Sequence, residues 1–194
     1  SLAGDNKEDK LIKKQIKKID NIVEQMLFYA RSDSVEKDYF VKKVLLEDVV
    51  HTAIMDYMDS LMQKKISLDV YNLENYVYID EKWITFIICQ VLQNSIKYLN
   101  KPEKVIKIHS ENNKNNVVLV IEDNGEGILD HDLPRVFEYG FTGTDRQKQY
   151  STGIGLYLCK KLCNKMNLDI KIESQYKKFT KVKIIFPKTN LYRQ

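Results

Sequence analysis

Between residues 5 and 32 the apolar side chains Ile12, Ile16, Ile19, Val23, Met26 and Ala30 recur at steps of four, three, four, three and four. A 3.5-residue period predicts a helix whose apolar seam needs a partner helix. Leu11, Ile22, Leu27 and Tyr29 widen that seam toward the face of a helical bundle rather than a thin two-stranded coil. The plainer alternative is a helix that packs on its own domain.

The pattern breaks at Arg31-Ser32-Asp33-Ser34, and shorter periods follow. Residues 39–46 predict a strand, and 47–62 a helix with Val50, Ile54, Met58 and Leu61 on one face. Strands are expected at 66–70 and 76–79. A helix follows over 81–98, with Trp83, Ile84, Ile87, Ile88, Val91 and Leu92 inward and Pro102 ending it. Residues 104–110 and 116–122 form a hairpin around the polar tip Asn112-Asn113-Lys114-Asn115. After a glycine-rich stretch over 124–152 comes a helix over 153–166, with Leu156, Cys159, Leu162, Cys163 and Met166 inward. Strands at 169–174 and 180–186 close the chain. Strands and helices mix without regular βαβ alternation, so the fold class is α+β: a mixed, largely antiparallel sheet with helices layered on one face.

Composition narrows the picture only at one point. With 194 residues, 43% hydrophobic and 30% charged, the chain has room for one folded domain and an appendage. Its 31 basic and 27 acidic residues are spread too evenly to argue for nucleic acid, and Lys13, Lys14, Lys17 and Lys18 read as a solvated helix face. No apolar run approaches the ~18 residues of a membrane helix. Ser1-Leu2-Ala3-Gly4 offers neither an initiator Met nor a signal core, so we expect a piece of a longer chain preceded by a cloning remnant. Cys89, Cys159 and Cys163 sit in apolar helical patterns without a CxxC, as reduced core fillers of a cytosolic protein. The uneven feature is glycine: six of the seven lie between Gly125 and Gly155. That clustering suggests backbone that bends or approaches a ligand.

Asp123-Asn124-Gly125-Glu126-Gly127-Ile128 ends an apolar strand. A carboxylate there can accept a hydrogen bond from an amino group while bare glycine backbone lets a flat ring approach. An EF-hand reading fails because Gly125 stands where an oxygen ligand is needed. Further on, Ser151-Thr152-Gly153-Ile154-Gly155-Leu156 opens a helix. Free N–H groups and a helix dipole of roughly +0.5 charge make such a start a phosphate cradle. It is neither a Walker A loop nor a Rossmann fingerprint, and the protein-kinase glycine loop is absent. In a third segment, Gln90, Asn94 and Lys97 fall at i, i+4 and i+7, so an otherwise apolar helix carries amide, amide and lysine on one line. The Asn94 carbonyl suits Mg²⁺, and Lys97 can neutralise phosphate.

The order Asn-helix, DxGxG, GxGL-helix resembles the GHKL (Bergerat) ATP-binding fold of sensor histidine kinases, type II topoisomerase ATPase subunits, Hsp90 chaperones and MutL proteins, over residues 39–187. The resemblance implies that Asn94 binds Mg²⁺, that Asp123 recognises adenine, and that Gly125, Gly127 and Ile128 form the first loop. Thr152, Gly153, Gly155 and Leu156 would then cradle the phosphates of ATP. Within this superfamily, Asn94-Ser95-Ile96-Lys97-Tyr98 is similar to the NAxKY/F segment of histidine kinases, where the lysine reaches phosphate and the aromatic flanks the nucleotide. Residues 134–143 look like their F box. A lid over about 128–152, anchored by Phe137 and Phe141, would carry Arg146 or Lys148 toward the phosphates.

Gln90 departs from the hydrolysing relatives, which place a glutamate there. An amide cannot act as general base, which argues for transfer to an external nucleophile rather than hydrolysis. By the same resemblance, residues 1–33 are the second helix of a dimerisation and phosphotransfer hairpin, and 34–194 the catalytic domain. None of His51, His109 and His131 has the neighbours of a phosphoacceptor histidine. Finer likeness over 28–44, 135–143 and 151–163 points to the intramembrane-sensing, bacitracin-sensor-like kinases of Gram-positive bacteria. It implies the cytoplasmic part of a homodimeric membrane protein, with a response regulator as acceptor and a peptide-antibiotic ABC transporter as input partner. The alternatives are a non-catalytic nucleotide-binding or dimerisation module and an ATP-driven clamp.

Overall fold

In the computed structural model, which describes residues 2–31, 39–144 and 152–188, the chain runs as one long helix followed by a helix-on-sheet layer. Helix α1 covers Leu2–Arg31. The seam predicted for it is real and faces outward: Ile12, Ile16, Ile19, Val23 and Met26 are 40–60% exposed. The opposite face behaves differently. Gln25 and Phe28 are buried, Tyr29 half-buried, and Phe28 stacks on Phe86 at 3.9 Å and meets Trp83 edge-on at 5.1 Å. The plainer reading, packing on its own domain, therefore holds for the Gln25–Phe28 face, while the seam is left exposed.

Strand β1 (Lys42–Leu45) pairs antiparallel with β3 (Tyr76–Ile79) as a separate two-stranded ribbon. The strand is shorter than expected because Phe40 and Val41 project into solvent and the Phe40 N–H donates to Asp80 instead. Helix α2 spans Leu46–Gln63, with Glu47 and Asp48 in its first turn, where the helix dipole favours acid. Strand β2 (Ser67–Tyr71) follows. Helix α3, Glu81–Tyr98, is capped by Asp80, whose side chain accepts from the N–H groups of Lys82 and Trp83.

Strands β4 (Val105–Asn112) and β5 (Asn116–Asp123), helix α4 (Gly155–Lys165), and strands β6 (Asp169–Gln175) and β7 (Phe179–Pro187) complete the layer. The main sheet has the order β2-β4-β5-β7-β6, parallel only between β2 and β4. Its inner face (Ile106, Ile108, Leu119, Ile121, Val182 and Ile184) meets Val50 and Ala53 of α2, Ile84, Ile87, Ile88 and Val91 of α3, and Leu158 and Leu162 of α4. The outer face carries the ion pairs Lys181–Glu122 and Lys183–Glu173.

Helices α2 and α4 both end in a Schellman turn. The Ile66 and Leu168 N–H groups reach back to the Leu61 and Cys163 carbonyls, with Lys65 and Asn167 in the left-handed region.

Three inward assignments change. Leu156 is only half-buried: the helix starts at Gly155, two residues later than the sequence suggested, and Leu158 takes the core position instead. Met58 is only half-buried. Cys89 is only half-buried: it packs against the edge of the core and lines an open groove of about 850 Å³ between α1, α2 and α3. Burial and the neighbouring Asp56 carboxylate push its thiol up to about 12, so it stays protonated there.

Candidate nucleotide site

The polar line on α3 organises the site. Gln90 and Ser95 are buried, Asn94, Lys97 and Tyr98 half-buried, and the line runs from the start of α4 to the end of β5. Eight residues at about 1.5 Å rise set Gln90 and Tyr98 ~12 Å apart along the axis. One helix thus faces both glycine loops.

At the β5 end, Asp123 is 4% exposed. Its Oδ2 accepts from the Ser95 hydroxyl at 2.7 Å, and its Oδ1 from the Gly125 N–H at 3.0 Å. Burial raises the carboxyl to about 6 even though both hydrogen bonds oppose the rise. The carboxylate is held in a fixed direction, and a lone pair left on it is a strong acceptor for an amino group because water competes poorly there.

Each glycine in this region has its own steric reason. A Cβ on Gly125 would sit 2.6 Å from the Asp123 carboxylate and 2.8 Å from the Tyr98 carbonyl, so glycine lets the carboxylate turn back toward α3. Gly127 has φ +68° and lies against the Gln175 backbone. There the loop is braced by the β6–β7 turn, through Ile128 N–H to Ser174 Oγ (2.8 Å) and Lys177 N–H to the Glu126 carbonyl. Asn124 closes the other side, bonding Val105 and Glu103.

At the α4 end, no side chain among the described residues caps the helix, whose N-cap is Ile154. The N–H groups of its first turn remain available to an anion. Gly153 (φ +67°) packs against the Gly140 backbone of the lid, and the Gly140 N–H donates to the Gly153 carbonyl at 3.1 Å. Gly155 makes room for a pair of amides: a Cβ there would lie 2.8 Å from Gln90 Oε1 and 3.5 Å from Gln25 Nε2. Gln25 Nε2 donates to Gln90 Oε1 at 2.7 Å, and the Thr152 hydroxyl donates to Gln25 Oε1 at 3.1 Å.

The site residues named from sequence fall into groups. Asp123, Gly125, Gly127 and Ile128 meet the end of α3 at one side, while Gln90, Thr152, Gly153, Gly155 and Leu156 gather at the other, with Asn94 between them on the helix line. Lys97 lies over the Tyr98 ring, 4.9 Å from its centroid. Phe137 packs on the core, with Lys160 over its ring; Phe141 is half-buried beneath Arg135. Arg146 and Lys148 lie outside the described residues.

Sequence reasoning missed Gln25, Ser95 and Asp132. The buried Asp132 side chain accepts both the N–H and the hydroxyl of Thr144 at 3.1 Å, holding the two ends of the 132–144 segment together. Gln25 could have been found, since Gln25, Phe28 and Tyr29 fall at i, i+3 and i+4 off the seam.

This arrangement, a fixed buried carboxylate at one end of a polar helix line and an uncapped, glycine-led helix start at the other, defines a nucleotide-binding ATPase-type domain. The family described as Histidine kinase-, DNA gyrase B-, and HSP90-like ATPase matches residues 79–190, and the chain belongs to it as the catalytic domain of a sensor histidine kinase that binds ATP. It is 36% identical over 194 residues to the sensor protein BceS of Halalkalibacterium halodurans (97% of this chain, 58% of that one), and 34% to BceS of Bacillus subtilis (98% and 58%). Identity to the sensor protein kinase GraS of Staphylococcus aureus is 35% over 175 residues (89% and 50%). The chain thus spans little more than half the length of these relatives. Among solved structures it is similar to the Acinetobacter baumannii histidine kinase AdeS (TM-score 0.70, 21% identity, covering 90% of this chain and 80% of that one). It also matches the catalytic domain of histidine kinase ThkA (TM-score 0.65, 20% identity, 77% and 98%). These similarities confirm the fold and the group-level resemblance read from the sequence.

Proposed function

We propose that this domain holds ATP with Mg²⁺ and transfers the γ-phosphoryl group to a histidine outside this chain, from which it passes to an aspartate of a response regulator. Residues 1–33 are then the second helix of the dimerisation hairpin in a homodimer on the cytoplasmic side of a membrane, with a peptide-antibiotic transporter as input partner. The observation that carries the reading is the environment of Gln90. At the start of α4, beside the proposed phosphate loop, stands an amide hydrogen-bonded to a second amide, Gln25. Neither can take a proton from water, so the chemistry left to this side of the site is positioning and charge stabilisation.

The donor set fits the proposed ligands. Asp123 accepts from the adenine amino group, and the first-turn N–H groups of α4 face phosphate oxygens. Asn94 is the hard oxygen donor that would hold Mg²⁺, whose chemistry is to neutralise charge on the transferring phosphate. Lys97, freed from the Tyr98 ring, adds a cation. His51 is exposed on α2, His109 of β4 is stacked on Tyr71 of β2, and His131 lies beside Asp132; none has the neighbours of an H-box histidine in the sequence. None is a suitable acceptor.

The test mixes the chain with a separately made helix that carries an H-box histidine, using ATP labelled at the γ-phosphate. Label should appear on the histidine only with Mg²⁺, and Asn94→Ala should lower the rate at least ~100-fold, the scale of losing a positioned charge-stabilising contact. Phosphate released as fast without the acceptor helix as with it would refute transfer and restore the clamp reading. ATP bound with no label on any histidine would favour the non-catalytic module.

A further inference from the structure

Gln25 stands on the inner face of α1, 7% exposed, where α3, the loop before α4 and α1 meet. Its amide has two partners: it donates to Gln90 and accepts from Thr152. A hydroxyl has a single proton to give. The Thr152 proton is committed to Gln25, and the Thr152 oxygen accepts the Ile154 N–H at 3.3 Å. A Thr152 hydroxyl in that state cannot donate to a phosphate oxygen, although it leads directly into the uncapped start of α4.

Around this contact, α1 also reaches the lid. The Tyr29 ring is 6.2 Å from that of Tyr139 in the lid and 6.5 Å from Tyr157 on α4, and the Lys161 ammonium lies 4.7 Å above it.

We propose that docking of α1 and binding of phosphate compete for one proton, that of the Thr152 hydroxyl, with Gln25 as the positioning residue through which the helix senses whether the phosphate end of the site is filled. The proposal rests on the nucleotide reading of the site. Linkage makes the effect reciprocal: a filled phosphate site loosens α1, and a docked α1 weakens phosphate binding by the same factor. The Tyr29 cluster makes the lid part of the same unit, so release of Gln25 frees the lid from the helix too.

The test uses the full 194-residue chain. ATP–Mg²⁺ and adenosine are titrated calorimetrically into wild type, Gln25→Ala, Thr152→Val and the double variant. Gln25→Ala should raise the ratio of ATP to adenosine affinity about fivefold to tenfold, the scale of one hydrogen bond, and leave adenosine unchanged. On the Thr152→Val background the same substitution should leave the ratio alone. A ratio that stays constant or falls in Gln25→Ala, or a rise that persists without the hydroxyl, overturns the proposal.

A second measurement needs no variant: amide hydrogen exchange over residues 22–31 should quicken when ATP–Mg²⁺ is added, and unchanged or slower exchange overturns it equally. Wild type that binds ATP while failing these tests defeats only the role of Gln25. Wild type that binds neither ATP nor adenosine defeats the nucleotide reading and the proposal with it.

Discussion

Replacing Asp123 by Asn should stabilise the folded chain at neutral pH while weakening its hold on adenine. The carboxyl titrates at about 6 in the folded chain against 3.8 as a free group, and the first cause is burial. A shift of ~2 units is worth about 3 kcal/mol at ~1.4 kcal/mol per unit. The sign follows from proton linkage. A carboxyl raised in the folded state contributes stability that is fully present below about pH 4 and is lost as pH rises through about 6. Above pH 7 the native protein carries the full cost of an ionised buried acid.

Asn keeps the shape and removes that cost. Its carbonyl can accept the Gly125 N–H, and the Ser95 hydroxyl can rotate to accept from the new amide, so neither partner is orphaned. Urea unfolding of both proteins at pH 8 and pH 4 should show Asp123→Asn ahead by up to ~3 kcal/mol at pH 8, or roughly 6–12 °C in Tm, with the gap closing at pH 4. ATP affinity in the wild type should fall with a midpoint near pH 6 as the acceptor is protonated. An Asn variant destabilised equally at both pH values would refute the argument, because the raised titration would then play no part in stability.

Two further outcomes follow from the packing. Phe28→Ala removes a side chain stacked between α1 and α3, so it should cost about 3 kcal/mol of helix docking. Limited proteolysis should then cut α1 faster while the melting of the remaining domain moves little. Gly153→Ala places a Cβ into the Gly140 backbone at a φ of +67°; it should cost about 2 kcal/mol or more in urea unfolding and lower ATP affinity, because the loop and lid must separate to admit it.

The elements were legible from sequence wherever one face of each was buried. The Tyr76–Ile79 strand and the Glu81–Tyr98 helix fall at the expected residues because alternation and 3.6-residue periods leave no second register. The two glycine loops and the polar line of α3 were legible as well, since unusual residue types there report special backbone or buried polar contacts. What stayed hidden was the reason for each glycine. Gly127 answers to Gln175 and Gly153 to Gly140, neighbours in space that lie far along the chain or in another loop. The second face of α1 was hidden for a related reason: a strong heptad seam masks the weaker signal of Gln25 and Phe28, whose partners Gln90, Trp83 and Phe86 are remote in sequence.

The meeting of Gly140 and Gly153 has a meaning beyond steric fit. At this point the two segments are joined main chain to main chain by the Gly140 N–H and the Gly153 carbonyl, beside the edge-on contact of Tyr139 with Tyr157. A backbone hydrogen bond is the same whatever side chains surround it, so the neighbouring residues can take up other contacts, such as that of Tyr139 with Tyr29 on a passing helix, without removing the bond itself.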